Sequence, residues 1–363
     1  MILHTDGEPL PPLYAKWVAE LLGGAIPRES RATCDACAMC AGIQPESASK
    51  RYFFDPAVKC CSYLPVLPNF LVGRILLDRD PATQVGRGTV EKRIADAVGV
   101  TPLGLAKSPV FSLLYQNSSK AFGRSRTFRC PHYIDHGGGR CSIWHNRNSV
   151  CTTWFCKHIR GQVGHAFWRS LKDALEHVEK GLAHWCVLEL QLGDDAMRHM
   201  VEEKAEGDAI TGDVLDNKVD QKTYERIWGA WRGREHEFFG RCAELVSPLS
   251  WTDVLAICGP EVRMHARLAG ESYRRLTSDD IPNALNVGPI EIVQMEGGAT
   301  RVCTYSEHDP LDIPNAVMEL LQHFDGRPTE EALAAIADER GVRLEPALVR
   351  KLVDFKVLVP ADE

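Results

Sequence analysis

Nine of the 13 cysteines in this chain fall into two short segments, Cys34 to Cys61 and Cys130 to Cys156. The first segment carries Cys34, Cys37 and Cys40 at two-residue spacing, then the doublet Cys60-Cys61; the second carries Cys130, Cys141, Cys151 and Cys156. Two residues between cysteines let successive sulfurs bend back onto one ion or one face of a cluster, as in zinc knuckles and ferredoxins. In the second segment the run Gly137-Gly138-Gly139 permits a tight turn that returns Cys141 towards Cys130. Four thiolates complete the ligand set of a tetrahedral zinc or an iron-sulfur cluster. Two groups therefore supply two centres, or one centre fed from both. Buried cysteine is common in ordinary cores, but isolated core cysteines would not concentrate in this way. Cys186, Cys242, Cys258 and Cys303 stand alone among helix or strand residues and are read as packing groups.

The setting matters for that reading. The N-terminus, MILHTDGEPLPPLYAKW, lacks a basic region followed by an apolar run, so it does not read as a secretory signal. No stretch approaches the roughly 20 apolar residues that a membrane span requires. The expectation is a cytoplasmic protein, where thiols stay reduced and a spaced cysteine set points to metal or catalysis rather than disulfides. An odd cysteine count also argues against complete pairing. A net charge of -7 and a pI near 6.0 argue against a nucleic-acid-coating protein, whose affinity comes largely from Lys and Arg on phosphates. Charge is unevenly spread, however. Lys120, Arg124, Arg126, Arg129, Arg140, Arg147, Lys157 and Arg160 surround the second cysteine group, opposed only by Asp135. Such a basic face is expected to compensate a negative thiolate centre.

At 363 residues, 44% hydrophobic and 25% charged, the chain is long enough for two or three domains. Residues 1–164 are rich in Gly, Pro, Cys and aromatics with only short periodic stretches, which predicts an irregular, metal-stapled cysteine-cluster domain. Residues 165–285 read as a helical domain. Leu171, Ala174, Leu175, Val178 and Leu182 share one helical face, and Tyr224, Ile227, Trp228 and Trp231 share another, with both tryptophans read as core. Between them, residues 207–220 are acidic and turn-rich but lack EF-hand spacing, so a solvated loop is expected. Residues 286–363 read as a small α+β domain. Two strands precede a helix bearing Ile313, Val317, Leu320, Leu321 and Phe324 that ends at Asp325-Gly326. A second helix is capped by Thr329 and carries Leu333 and Ile336, and a third runs from Pro346 to Phe355 before a terminal strand. The fold class predicted is thus mostly α, with the cysteine-rich region at the front and a winged-helix-like arrangement at the end.

Two family resemblances follow from these residues. NAVMELLQHFDGRPTEEALAAI and LVRKLVDFKVLV resemble PqqD-like domains, which implies docking of a peptide or protein partner by strand addition. CDACAMC together with CPHYIDHGGGRCSIWHNRNSVCTTWFC resembles the YkgJ-type cysteine-cluster family, described as zinc- or iron-chelating. The resemblance covers the chain up to about Cys156 and implies metal ligation by Cys34, Cys37, Cys40, Cys130, Cys141, Cys151 and Cys156. Departures are visible. Ala41 stands where the family's doublet would continue, Trp144 replaces a tyrosine, and Arg147-Asn148 replaces Arg-Pro. The displaced doublet supplies the missing thiol through Cys60 or Cys61.

The expected cofactor is an iron-sulfur cluster of the 4Fe-4S type, one or two per chain, with zinc as the alternative. His132, His136, His145 and His158 lie beside the second cysteine group and could complete a mixed Cys/His site. The apolar stretch 62–73 is expected to pack over the centre and keep it dry. GxSxG, HExxH and Walker-type phosphate loops are missing from the sequence, so hydrolase, zincin and nucleotide-binding readings lose support. Three functions remain in view. One is a metal-binding protein with a partner-docking tail. Another is a metalloenzyme modifying a peptide or protein, as flagellin lysine methylases with similar cysteine sets do, although no methyl-donor motif is legible. The last is a redox or metal sensor, against which the chain's acidity and the mixed charge of residues 345–355 argue. The oligomeric state stays open.

Overall fold

The computed structural model describes residues 10–34, 37–40, 53–118, 120–136, 138–202, 212, 216 and 218–362. Most of the acidic stretch 207–220, as well as Gly137 and residues 1–9, lies outside the described residues.

Helix α1 (Pro12–Leu22) begins with proline in its first turn, where a missing N–H costs nothing, and stops at Gly23 in the left-handed region. It buries Leu13, Tyr14, Trp17 and Val18. After the first cysteine segment come strand β1 (Leu67–Pro68), helix α2 (Asn69–Leu77) and helix α3 (Gln84–Asp96). Strands β2 (Val100–Thr101) and β3 (Gly104–Leu105) join β1 in a small antiparallel sheet of order β1-β3-β2. Helix α4 (Pro109–Gln116) is capped by Ser108. The hairpin β4 (Tyr133–Ile134) and β5 (Arg140–Cys141) and the short helix α5 (Ser149–Thr153) complete this part.

The apolar stretch 62–73 does not roof the cysteines as expected. Its second half opens α2, which is buried on nearly every side. Asn69 makes that burial tolerable: its amide donates to the carbonyls of Pro102 and Ala183, both at 2.9 Å, and its Oδ1 accepts the Phe70 N–H at 2.8 Å. Buried polar groups require such complete pairing. Only Tyr63 and Pro65 of the stretch reach the cysteine cavity described below.

Helix α6 (Gly161–Glu189) is the longest element, and it buries the predicted face from Leu171 to Leu182. It is followed by α7 (Asp194–Glu202), α8 (Gln221–Trp228), α9 (Glu235–Val246) and α10 (Trp251–Thr277). α10 packs along α6, and α9 packs on α2. Within α10 the chain breaks at Gly259, whose φ of 76° precedes Pro260, and proline cannot donate the helical hydrogen bond there. One hydrophobic core runs from Leu10 to Leu276 and takes in Trp17, Phe70, Trp168, Trp228 and Phe239. The expected division at 164/165 therefore falls inside α6, and the first two expected domains share a core. The loop-rich front has too little apolar surface to close a core alone. The four isolated cysteines pack as expected: Cys186, Cys242 and Cys303 are buried and Cys258 is partly so.

A second core, from Leu285 to Leu358, belongs to the C-terminal unit. Strands β6 (Ala284–Val287), β7 (Glu291–Glu296), β8 (Ala299–Cys303) and β9 (Leu311–Pro314) precede helix α11 (Asn315–Leu320), strand β10 (Asp325–Pro328), helices α12 (Thr329–Arg340) and α13 (Pro346–Asp354), and strand β11 (Leu358–Pro360). They form two antiparallel sheets, β7-β8-β9 and β10-β6-β11. The helix expected over residues 313–324 is shorter than its apolar pattern. Ile313 lies on β9, and Asp325-Gly326 enters β10 instead of capping a helix. Thr329 opens α12 without capping it, because its hydroxyl donates to the Pro282 carbonyl at 2.7 Å. The boundary expected at 285/286 falls inside β6.

The C-terminal unit is clamped to the main core by Lys157, His158 and Arg160, and Ile159 between them is held by Glu29. Lys157 donates to the His308 carbonyl at 3.2 Å, and the His158 N–H donates to Asp309 at 2.9 Å. The Ile159 N–H donates to Glu29 at 2.6 Å, and Arg160 forks onto Asp354 at 2.7 and 2.8 Å. Asp309 is buried and also pairs with Arg31 at 3.4 Å. Among the described residues no helix is long and apolar enough to cross a membrane.

Candidate thiolate site

The two cysteine segments meet through the backbone. The Cys130 N–H donates to the Cys61 carbonyl at 2.7 Å, so the doublet and the start of the second segment lie side by side. Cys60 and Cys61 follow a turn in which the Val58 and Lys59 N–H groups both donate to the Asp55 carbonyl, and Lys59 takes a φ of 53°. Cys37 and Cys40 close their own turn, the Cys40 N–H donating to the Cys37 carbonyl at 2.9 Å.

In the second segment the hairpin sets Cys141 opposite Tyr133. Gly139 is required there. Its φ is +78°, and a Cβ would stand 2.1 Å from the Tyr133 hydroxyl. The expected turn returning Cys141 towards Cys130 is thus made at Gly138 and Gly139, both at positive φ. The departures from the family pattern also find their places. Arg147 lies flat on Trp144, 3.4 Å from the ring centre, and donates to the Cys151 carbonyl at 3.0 Å. Asn148 caps α5 by accepting the Cys151 N–H at 3.1 Å. Glu179 of α6 then holds Ser149, accepting from its N–H and, at 2.9 Å, from its hydroxyl, and it accepts from Tyr14 as well.

Cys34, Cys60, Cys61, Cys130, Cys141 and Cys151 line a cavity of about 390 Å³, whose other wall is aromatic: Tyr63, Tyr115, Phe122, Trp144 and Trp154. Cys37, Cys40 and Cys156 stand outside this lining yet within electrostatic reach of it. Cys60 is the common member. Its charge is felt by Cys34, Cys40, Cys61, Cys130, Cys141, Cys151 and Cys156, and it feels that of Cys37. Cys37 also interacts with Cys34, Cys40 and Cys156, and Cys61, Cys130, Cys141 and Cys151 interact among themselves, while Cys34 links the two groups through Cys141.

Burial pushes the Cys34, Cys130 and Cys156 thiols up to about 12, and it raises Cys141 and Cys151 as well. Within the two close pairs the thiols split: the neighbouring sulfur lowers Cys37 and Cys60 and raises Cys40 and Cys61, and the Cys40 thiol donates to the Phe54 carbonyl at 3.8 Å. A cation in their midst would reverse this pattern, since a bound metal deprotonates its thiols outright.

Two cations are built into the site. Arg147 and Lys59 are only 8% and 6% exposed, and buried charges need partners. Lys59 donates to the carbonyls of Cys34, Gly138 and Gly139, tying the two segments together. Arg147 lowers the thiols of Cys34, Cys60, Cys141 and Cys151, and Lys59 those of Cys37 and Cys40. The basic face expected from the sequence mostly serves other ends. Arg126 pairs with Asp55, Arg129 with Asp135, Lys157 with Asp309 and Arg160 with Asp354. Lys59 escaped sequence reasoning, although its place beside the doublet was a signal.

Of the four candidate histidines, only His132 lines the cavity. His136 is exposed, and His158 turns Nδ1 to the Tyr305 hydroxyl at 3.3 Å. Among the described residues no three His, Cys, Asp or Glu side chains stand close enough to hold a single metal ion. The thiols ring a space rather than a point, and the donor chemistry of that ring suits a multi-atom thiolate-ligated group better than one bare ion.

Comparison with known proteins adds no relative: no family model, no curated protein and no solved structure matches this chain.

Proposed function

We propose that this chain is a YkgJ-type cysteine-cluster protein that holds one or two iron-sulfur clusters on Cys34, Cys37, Cys40, Cys60, Cys61, Cys130, Cys141, Cys151 and Cys156. The observation that carries the reading is the convergence of thiols from two remote segments on one space, with buried Lys59 and Arg147 beside them. Buried cations offset the negative charge that thiolate ligation accumulates. Six of the nine thiols line that one cavity, and Cys37, Cys40 and Cys156 lie within electrostatic reach of it. When bound, such clusters supply one-electron chemistry or a structural staple. Zinc is the alternative, and it would require the sulfurs to draw together around each ion.

The C-terminal unit is read as a PqqD-like winged helix that docks a peptide or protein. β7 supports this as an edge strand of its sheet, with Ile292 and Met295 exposed, since an open edge accepts an added strand. A metalloenzyme that modifies such a peptide is the second reading, and the aromatic wall facing the cysteines favours it, since ligand sites combine aromatic surface with a few polar groups. A DNA-reading sensor has less support. Arg350, the central cation of the last helix, is engaged internally with Asp354, Asp279 and the Ser278 carbonyl.

Metal and sulfide analysis with an absorbance spectrum, on protein purified without oxygen, tests the reading. Stoichiometric iron and sulfide with a broad band at roughly 400 nm are expected. Colourless protein with zinc would sink the redox versions, and protein holding neither metal would sink the centre altogether. In the same assay Cys60→Ser is expected to lose more metal than Cys61→Ser, because the charge of Cys60 reaches thiols of both segments.

A further inference from the structure

The cavity wall holds one polar atom that the protein leaves without a partner. His132 is 1% exposed, it lines the cysteine cavity, and its Nε2 is buried with no hydrogen-bond partner. An unpaired buried polar atom costs on the order of 1–3 kcal/mol, so such an atom calls for an explanation.

The other ring nitrogen settles which form of the imidazole is present. Nδ1 lies 2.7 Å from the Thr89 hydroxyl oxygen, and that oxygen lies 2.7 Å from the Gly86 carbonyl oxygen. Two oxygens at that separation need a hydrogen between them, and a threonine hydroxyl has only one. The hydroxyl proton therefore points to Gly86, and Nδ1 must carry the hydrogen shared with Thr89. Nε2 is left bare, with its lone pair in the cavity wall. A ring N–H bonded to a neighbouring oxygen, with the opposite nitrogen free, is how metal-ligating histidines are set up.

The backbone places the ring with equal care. The His132 carbonyl accepts both the N–H and the hydroxyl of Ser142, each at 2.8 Å, which ties it to the residue after Cys141. The imidazole thus belongs to the same cavity lining as Cys34, Cys60, Cys61, Cys130, Cys141 and Cys151.

We propose that Nε2 of His132 is a ligand of a metal centre held by the thiols that line this cavity, which makes it a mixed Cys/His centre. The inference rests on the metal reading of the preceding subsection. At an iron that takes this imidazole, a neutral ligand stands where an anionic thiolate would otherwise bind, which raises the reduction potential, as it does where histidines replace cysteines in iron-sulfur proteins.

The test uses the full chain loaded anaerobically with iron and sulfide or with zinc, in natural abundance and with ¹⁵N-histidine. X-ray absorption at the edge of whichever metal is retained is expected to show imidazole scattering. For reduced iron, pulsed paramagnetic resonance is expected to show a strongly coupled nitrogen that changes with ¹⁵N. Both signals should vanish in His132→Ala. Thr89→Val keeps the ring but removes its anchor, and should weaken metal retention about 10-fold or more. Metal bound by the wild-type chain with no imidazole signal overturns the proposal while leaving the thiolate centre standing. A signal that persists in His132→Ala overturns it too. A wild-type chain that retains neither metal fails the underlying reading and this inference with it. The isotope experiment on wild-type protein decides the matter even where a variant does not fold.

Discussion

Glu179 shows how a single side chain reaches the cysteines without touching them. It lies on α6, buried, and holds the first residue of α5, whose third residue is Cys151. Burial pushes its carboxyl from 4.5 up to about 7. A carboxyl with a raised folded value binds a proton that the unfolded chain gives up, so the native state is favoured at low pH and loses that advantage as pH rises from about 4.5 to about 7. The loss amounts to on the order of 3 kcal/mol. Glu179→Gln keeps a carbonyl for Tyr14 and Ser149 and removes the titration. Its denaturant midpoint is expected to be flatter between pH 5 and pH 7.5 than that of the wild type. A wild-type and variant pair with parallel pH profiles would refute the assignment. At this scale much was legible from sequence. The nine cysteines and His132 are chemistry-bearing types at telling spacings. The orphaned nitrogen and the buried Lys59 were not legible, because both depend on what stands across a fold that spacing does not describe.

Elements carry the next level. The predicted apolar faces of α6 and α13 appear as expected, since a 3.6-residue period belongs to the residues themselves. α2 was misread because a run that is apolar all round has no face to reveal, and its partner decides its place. That partner is α9, reached through Gly73, where an added Cβ would stand 1.8 Å from the Phe239 carbonyl oxygen. Backbone cannot move aside as a side chain does, so Gly73→Ala should force α2 and α9 apart. A loss of about 2–3 kcal/mol in denaturant unfolding is expected, without loss of the cysteines' ability to bind metal in protein that remains folded. An unchanged midpoint would show that the two helices are not in close contact. The C-terminal helix over residues 313–324 failed as an expectation for a related reason. Ile313 fits the helical period yet pairs in β9 with Thr300, and strand pairing with β8 outweighed a short helix's weak local preference.

At the scale of the whole molecule, two cores are joined by the residues immediately after Cys156. Arg160 is the strongest tie: it forks onto Asp354 and donates to the carbonyls of Leu276 and Ser278. Removing it leaves Asp354 buried with only Arg350. Arg160→Ala is therefore expected to weaken the joint by about 3 kcal/mol. Amide hydrogen exchange should then quicken across residues 285–358 and along the 157–160 clamp, while α6 and α10 keep their protection. Uniform quickening of both cores would mean that they unfold as one unit. Because the clamp begins next to a proposed ligand, Cys156, the same measurement with and without metal reports whether the centre steadies the joint.

The sequence by itself determined where chemistry-bearing residue types are concentrated and which long segments are helical, because residue type and periodicity are local properties. It set nine thiols in two short segments without telling how those segments meet. Tertiary structure decided that one core serves residues 10–276, that the Cys61 carbonyl meets the Cys130 N–H, and that His132, its Nε2 without a partner, lines the cavity. These depend on close packing between segments far apart in the chain, and such contacts form only when the whole molecule buries its apolar surface together.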